Sequence, residues 1–145
     1  LIGSGMTGLE TAELLVEGNN KVTIVEMADT LAPGTWFQHL DDIVPKLDAK
    51  GTKYILSHKL NAIDEKGIVI EPVKLDKNRK PISQGKPHHV DADAVVLSLG
   101  ARSVNALAKE LEGKFELFVI GDAKKVGRIA DATREAYDVA IHKLK

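Results

Sequence analysis

Two apolar residues, Leu1 and Ile2, lead into a glycine-rich turn. Beyond it Leu9, Ala12, Leu15 and Val16 recur at helical spacing, while Glu10, Glu13 and Glu17 mark another face. This period predicts a helix stopped at Gly18-Asn19, with the glycine expected in the left-handed conformation after the last turn. Lys21 to Glu26 (KVTIVE) is dominated by β-branched residues and predicts a short strand. Strand, helix and strand in this order form half of a parallel α/β unit. Leu1 and Ile2 read as the last residues of a buried strand whose beginning is missing, so the expectation is a piece of a longer polypeptide.

The pattern continues with a loop from Ala28 to Thr35, broken by Pro33-Gly34, and a second helical region from Phe37 to Lys50. Pro45 lies inside that region and predicts a kink or a fresh helix start. Gly51 ends it, and Thr52 to Leu56 predicts a third strand. Leu60 to Asp64, Gly67 to Val73 and His88 to Ala92 then read as short strands with no helix between them, a small antiparallel meander. Asp76 to Pro87 (DKNRKPISQGKP) is turn-rich and mostly basic and reads most simply as its solvated hairpin tip, with a phosphate or partner patch as the alternative. Asp93 to Gly100 predicts a buried parallel-type strand ending on glycine. A short helix from about Asn105 to Leu111 follows, then a buried strand from Phe115 to Ile120 closed by Gly121-Asp122-Ala123. The last helix is expected from Ile129 to Leu144, with Ile129, Ala132, Ala136, Val139 and Ala140 on one face.

Composition narrows what such a fold can do. The 145 residues, 43% of them hydrophobic, suffice for one domain that buries roughly 70% of its unfolded surface. A net charge of −1 gives no overall basic field to recruit nucleic acid. No apolar run approaches the length of a membrane-spanning helix, so no membrane partner is expected. Cysteine is absent, which excludes a disulfide, a thiol nucleophile, a CxxC pair and a cysteine-held iron–sulfur cluster within the chain. His88-His89 has no nearby Cys or matching His pair, so no metal site is expected.

Candidate chemistry centres on Gly3-Ser4-Gly5-Met6-Thr7-Gly8, which matches GxGxxG. Such a match alone is weak, but apolar strand residues precede this one, a helix follows, and an acid ends the next strand. Gly3 permits the tight strand-to-helix turn, Gly5 admits a pyrophosphate to the backbone, and Gly8 lets helix and strand pack closely. First-turn amides and the helix dipole favour the anion. Glu26, 18 residues after Gly8, stands where an acid accepts hydrogen bonds from ribose hydroxyls. Met27, Ala28, Asp29 and Thr30 bring no Arg or Lys, so a 2′-phosphate finds no local cation. That favours NAD over NADP, unless a base from elsewhere, such as Lys53 or Lys59, reaches the site. Gly100 and Asp122 each follow an apolar run where a parallel sheet presents its ligand edge. A plain turn fits Gly100 equally well, and a turn or helix-capping role is the alternative for Asp122.

The segments GSGMTGLETAELL, VTIVE, DADAVVLSLGARSVN and FVIGDAKKVGRIADATREAYDVA, with the meander between them, resemble the two-dinucleotide-binding-domain flavoprotein reductases. Within these the chain is most similar to the C-terminal region of the 2-enoate reductase and 2,4-dienoyl-CoA reductase group, which joins an old-yellow-enzyme-like flavin barrel to a pyridine-nucleotide-disulfide-oxidoreductase-like module. The resemblance implies an α/β, three-layer Rossmann-like dinucleotide-binding domain with a parallel sheet and a small antiparallel β-meander. Residues 1–114 are expected to form the NAD(H) domain, its first strand truncated, and 115–145 to return to an FAD domain. Glu10, two residues after the third glycine, matches the acid typical of the nicotinamide domain, and with Gly100 is expected near the nicotinamide. Asp122 matches the Asp that meets the ribityl chain of FAD.

The first FAD-binding turn, the barrel with its FMN, the iron–sulfur cysteines and the substrate acid–base residue are expected elsewhere in the parent protein. The implied role is delivery of hydride from NADH to flavin, with no catalytic side chain in this chain and no turnover by the isolated piece. A cytoplasmic location goes with it. The implied partners are the nicotinamide dinucleotide, the missing FAD-domain and flavin-barrel segments, and a second copy of the chain paired through an exposed strand. Two other readings use the same turn: a non-catalytic NAD-sensing module, which needs no Gly-Asp segment, and a structural remnant with an empty pocket.

Overall fold

The computed structural model describes residues 1–144. It divides into two compact units, one spanning residues 1–100 and the other starting at residue 101. The first holds α1 (Met6–Glu17), β1 (Thr23–Val25), α2 (Phe37–Ala49), β2 (Lys53–Ile55), β3 (His58–Asp64), β4 (Gly67–Leu75), β5 (Pro81–Ser83) and β6 (His88–Asp91).

Four extended segments lie side by side and parallel. β1 pairs with β2 in the register Thr23–Lys53, Ile24–Tyr54 and Val25–Ile55. Ile2 bridges Val25 on one side and Leu97 on the other, both in parallel sense. The Ile2 amide donates to the Val96 carbonyl at 2.8 Å, and the Ser98 amide donates to the Ile2 carbonyl at 2.8 Å. Numbered along the chain, the segments run in the order 3-2-1-4, as in doubly wound sheets, where ligands bind beyond the carboxyl ends at the reversal of strand order. Here that reversal falls between Ile2-Gly3 and Leu97-Ser98.

Successive strand residues point to opposite faces, which separates two cores. Ile24 faces the helices, packed with Leu9, Ala12 and Val16 of α1 and Ile43 and Leu47 of α2. Val25 and Ile2 face the other way, against Ile68 and Ile70 of β4. The unit is therefore three layers: helices, parallel sheet, antiparallel meander. Leu9, Ile24, Leu47 and Ile70 are fully buried, and each such side chain contributes about 1.5–3 kcal/mol. In the meander β4 pairs antiparallel with β3, β5 and β6.

The α/β class, the meander and the order of elements match the sequence reading, and several local expectations need correction. Helix α1 ends with Gly18 at φ −75°, and Asn19, at φ +61°, takes the left-handed position instead. Asparagine tolerates that region better than other side-chain-bearing residues. Helix α2 runs unbroken through Pro45. The hairpin tip contributes a strand of its own, β5, against Val73 to Leu75. Segment 93–100 pairs where expected but is not buried: it touches the sheet through one neighbour only, and Leu97 and Leu99 are exposed.

In the second unit α3 spans Ala106–Leu111 and α4 spans Ile129–Asp138, with a 3₁₀ turn at Gly121–Ala123. Phe115 to Ile120 carries no strand, and Phe115 is exposed. α4 gives way to wider π-type winding at Val139–Lys143 rather than continuing as an α-helix to Leu144. Ile129 and Ala140 are exposed, while Ala132, Ala136 and Val139 are half-buried. A unit this small has too few elements to cover the full apolar stripe. Among the described residues no helix is long and apolar enough to cross a membrane.

Candidate functional site

The three glycines of the turn occupy different physical situations. Gly3 sits at φ +95°, in the left-handed region, and a Cβ there would collide with the carbonyl oxygen of Ser98. A Cβ on Gly8 would collide with the carbonyl oxygen of Gly3. Around the Cβ position of Gly5 nothing lies within 4 Å. Gly3 and Gly8 thus serve close packing at the switch point, whereas Gly5 fronts open space where a ligand can reach the backbone. Helix α1 starts directly behind it, with Gly5 as N-cap, no side-chain cap and no acid in the first turn. The amides of that turn and the positive end of the helix remain available to an anion.

Glu26 follows β1 at the same carboxyl edge, and its carboxylate is tied to the turn. Oε2 accepts from the Ser4 amide and from the Ser4 hydroxyl, both at 2.8 Å. Oε1 accepts from the Ala28 amide at 2.9 Å. The Ser4 hydroxyl in turn accepts from the Ala32 amide at 2.9 Å. Ser4 is fully buried, and Ala32, also buried, holds φ +41° although it is not glycine. The main chain of Glu26 is fixed as well, donating to the Ile55 carbonyl and accepting from the His58 amide.

Gly3, Ser4, Gly5, Gly8 and Glu26 therefore converge. Met6 and Met27 are half-buried, while Thr7 and Glu10 are exposed on the first turns of α1. Gly100, at φ +81° and exposed, lies two residues beyond Ser98, whose carbonyl abuts Gly3, so it shares this edge. Asp122 belongs to the second unit, where it is exposed and its Oδ1 accepts from the Gly127 amide at 3.1 Å. The two lysines named as possible partners of a 2′-phosphate differ in position, Lys59 following His58, whose amide donates to the Glu26 carbonyl. Lys59 pairs with Glu71 at 3.5 Å, and Lys53 opens β2 opposite Thr23, whereas Glu26 lies past the strand's far end. Among the described residues no group of three His, Asp or Glu is placed to hold a metal ion.

Sequence reasoning missed the roles of Ala28 and Ala32, and it singled out Ser98-Leu99-Gly100 without foreseeing that the Ser98 carbonyl abuts Gly3. All three residues act through the backbone, which residue identity does not advertise.

A glycine turn and a strand-end acid at the switch point of a 3-2-1-4 sheet define a dinucleotide-binding domain of the doubly wound class. The chain belongs to the pyridine nucleotide-disulphide oxidoreductase family, which it matches over residues 1–121. It is 33% identical over 142 residues to an NADH oxidase of Thermoanaerobacter brockii, covering 97% of this chain and 20% of that protein. It is also 33% identical over 144 residues to a cinnamate reductase of Clostridium sporogenes, covering 97% and 20%. Among solved structures, a 2-naphthoyl-CoA reductase superposes with a TM-score of 0.71 at 23% identity, over 99% of this chain and 20% of that one; this likeness is one of fold. The chain spans about a fifth of the length of these relatives.

Proposed function

We propose that this chain binds NAD(H) and presents its nicotinamide to a flavin within a longer reductase of the enoate and dienoyl-CoA reductase kind. The observation that carries the reading is the open space at Gly5, set between the α1 N-terminus and the Glu26 carboxylate. A pyrophosphate fits there because a Cβ would fill that space and none is present. Gly5 and the first-turn amides would hold the pyrophosphate, Glu26 a ribose hydroxyl, and Gly100 and Glu10 the nicotinamide end. When bound, the nicotinamide supplies the hydride; the protein supplies binding and orientation. Residues 1–114 then serve the nicotinamide nucleotide, and Asp122 within 115–145 serves FAD. FMN and an iron–sulfur cluster belong to other parts of the same protein, in a cytoplasmic setting.

Cofactor choice tests this. A 2′-phosphate near Glu26 meets a like charge worth up to about 4 kcal/mol at 4 Å with an effective dielectric near 20, less once solvent and salt screen it. Calorimetric titration should show roughly tenfold or greater preference for NADH over NADPH. Glu26→Ala should weaken NADH by about 1.5–3 kcal/mol through lost charge-assisted hydrogen bonds. NADPH binding as tightly as NADH sinks the assignment, and failure to bind either nucleotide favours the structural-remnant reading.

A further inference from the structure

We propose that Ser4 is a positioning residue that commits most of the Glu26 carboxylate to the protein and leaves one acceptor site, on Oε1, for a single ribose hydroxyl. The inference rests on the reading that Glu26 meets the ribose, and it adds how the acid is held and how many hydroxyls it takes.

An ionised carboxylate offers about four lone-pair sites. Three are filled here from within the chain: the Ser4 amide and hydroxyl on Oε2, and the Ala28 amide on Oε1. Because the Ser4 hydroxyl donates to Glu26 while accepting from Ala32, its proton has one direction to point. The chain Ala32 N–H to Ser4 Oγ–H to Glu26 Oε2 is ordered, and Ser4 within it has no solvent exposure. Hydrogen bonds aligned this way polarise one another in a site of low dielectric. The same hydroxyl anchors the loop after β1 by holding Ala32 at φ +41°, a backbone region unfavourable to a non-glycine residue. Removing the hydroxyl therefore frees the carboxylate to turn and the 28–32 loop to relax. A loosened acid is a poorer partner for one hydroxyl and a poorer repeller of a 2′-phosphate, so selectivity falls along with affinity.

The test is a double-mutant cycle on this chain, reading dissociation constants for NADH and NADPH by titration and folding by circular dichroism. Ser4→Ala should lower the NADH-to-NADPH preference by about fivefold, the scale of one charge-assisted hydrogen bond partly replaced by water. In a Glu26→Ala background the same change should leave the ratio unaltered, since no carboxylate remains to position. Ser4→Cys keeps nearly the same volume with a much weaker donor and should lose selectivity in the same direction; it carries the prediction if Ser4→Ala does not fold. A folded Ser4→Ala or Ser4→Cys chain with wild-type selectivity overturns the positioning role. So does an equal loss in the Glu26→Ala background, which would mark Ser4 as acting on the turn alone. If Glu26→Ala itself leaves NADH affinity and selectivity untouched, the ribose assignment has failed, and this proposal falls with it.

Discussion

At the level of single residues, one motif splits into two positions that serve packing and one that faces open space. The pattern GSGMTG announces a tight turn before a helix, and the structure supplies the division: Gly3 and Gly8 abut backbone carbonyls, Gly5 abuts nothing. Gly5→Val should leave the fold intact and weaken NADH at least tenfold, because the added side chain enters the space assigned to the pyrophosphate. Gly8→Val should instead destabilise the chain by about 1–3 kcal/mol, because α1 must move off the Gly3 carbonyl. Thermal melts and NADH titration on the same samples separate the two effects. Unimpaired NADH binding by a folded Gly5→Val chain places the nucleotide elsewhere. The glycines and Glu26 were legible because backbone geometry and charge restrict which residues can stand there. The anchoring of Glu26 by Ser4 was not, since it depends on the loop returning Ala32 to a hydroxyl 28 positions earlier.

Elements were legible where their partners lie within the chain. α1, β1, α2 and β2 bury one another, so their apolar periods translated directly into a core. Phe115 to Ile120 has the same apolar signature yet forms no strand, because a strand needs a ladder partner and composition cannot say whether one is present. What organises the second unit is polar. Glu135 on α4 accepts from the Gly121 amide at 2.8 Å and from the Lys124 ammonium at 2.9 Å. Lys124 first, and the Gly121 amide after it, hold the Glu135 carboxyl below its ordinary value of 4.5. A carboxyl depressed in the folded state contributes stability that is present above its unfolded value and is lost as pH falls through the folded one. Acidification below pH 4.5 should therefore release Gly121 from α4, seen as a lower protection factor for the Gly121 amide once its intrinsic pH dependence is divided out. In Glu135→Ala, which removes both acceptor oxygens, that amide should already lack protection at neutral pH and show no further acid step of this origin. Unchanged protection in that variant would show that other contacts hold the turn.

For the whole molecule, the question is how much of a flavoprotein reductase one glycine turn can supply. Hydride transfer needs the reacting atoms of nicotinamide and flavin at near-attack distance, roughly 3–3.5 Å. This chain has a single GxGxxG, assigned above to the nicotinamide nucleotide, and Asp122 is the one residue proposed above for FAD. It also leaves large apolar side chains uncovered in both units: Leu97 and Leu99 in the first, Val104, Phe115 and Ile129 in the second. The relatives it matches are about five times longer. We therefore expect the 145-residue chain, purified by itself, to be colourless, to bind NADH, and to reduce no electron acceptor at NADH's expense. Absorbance near the flavin bands, NADH titration and an NADH oxidation assay on one preparation give the answer. Stoichiometric FAD together with NADH oxidation would show that both nucleotides find their sites within these residues, and the division of labour proposed for them would have to be redrawn.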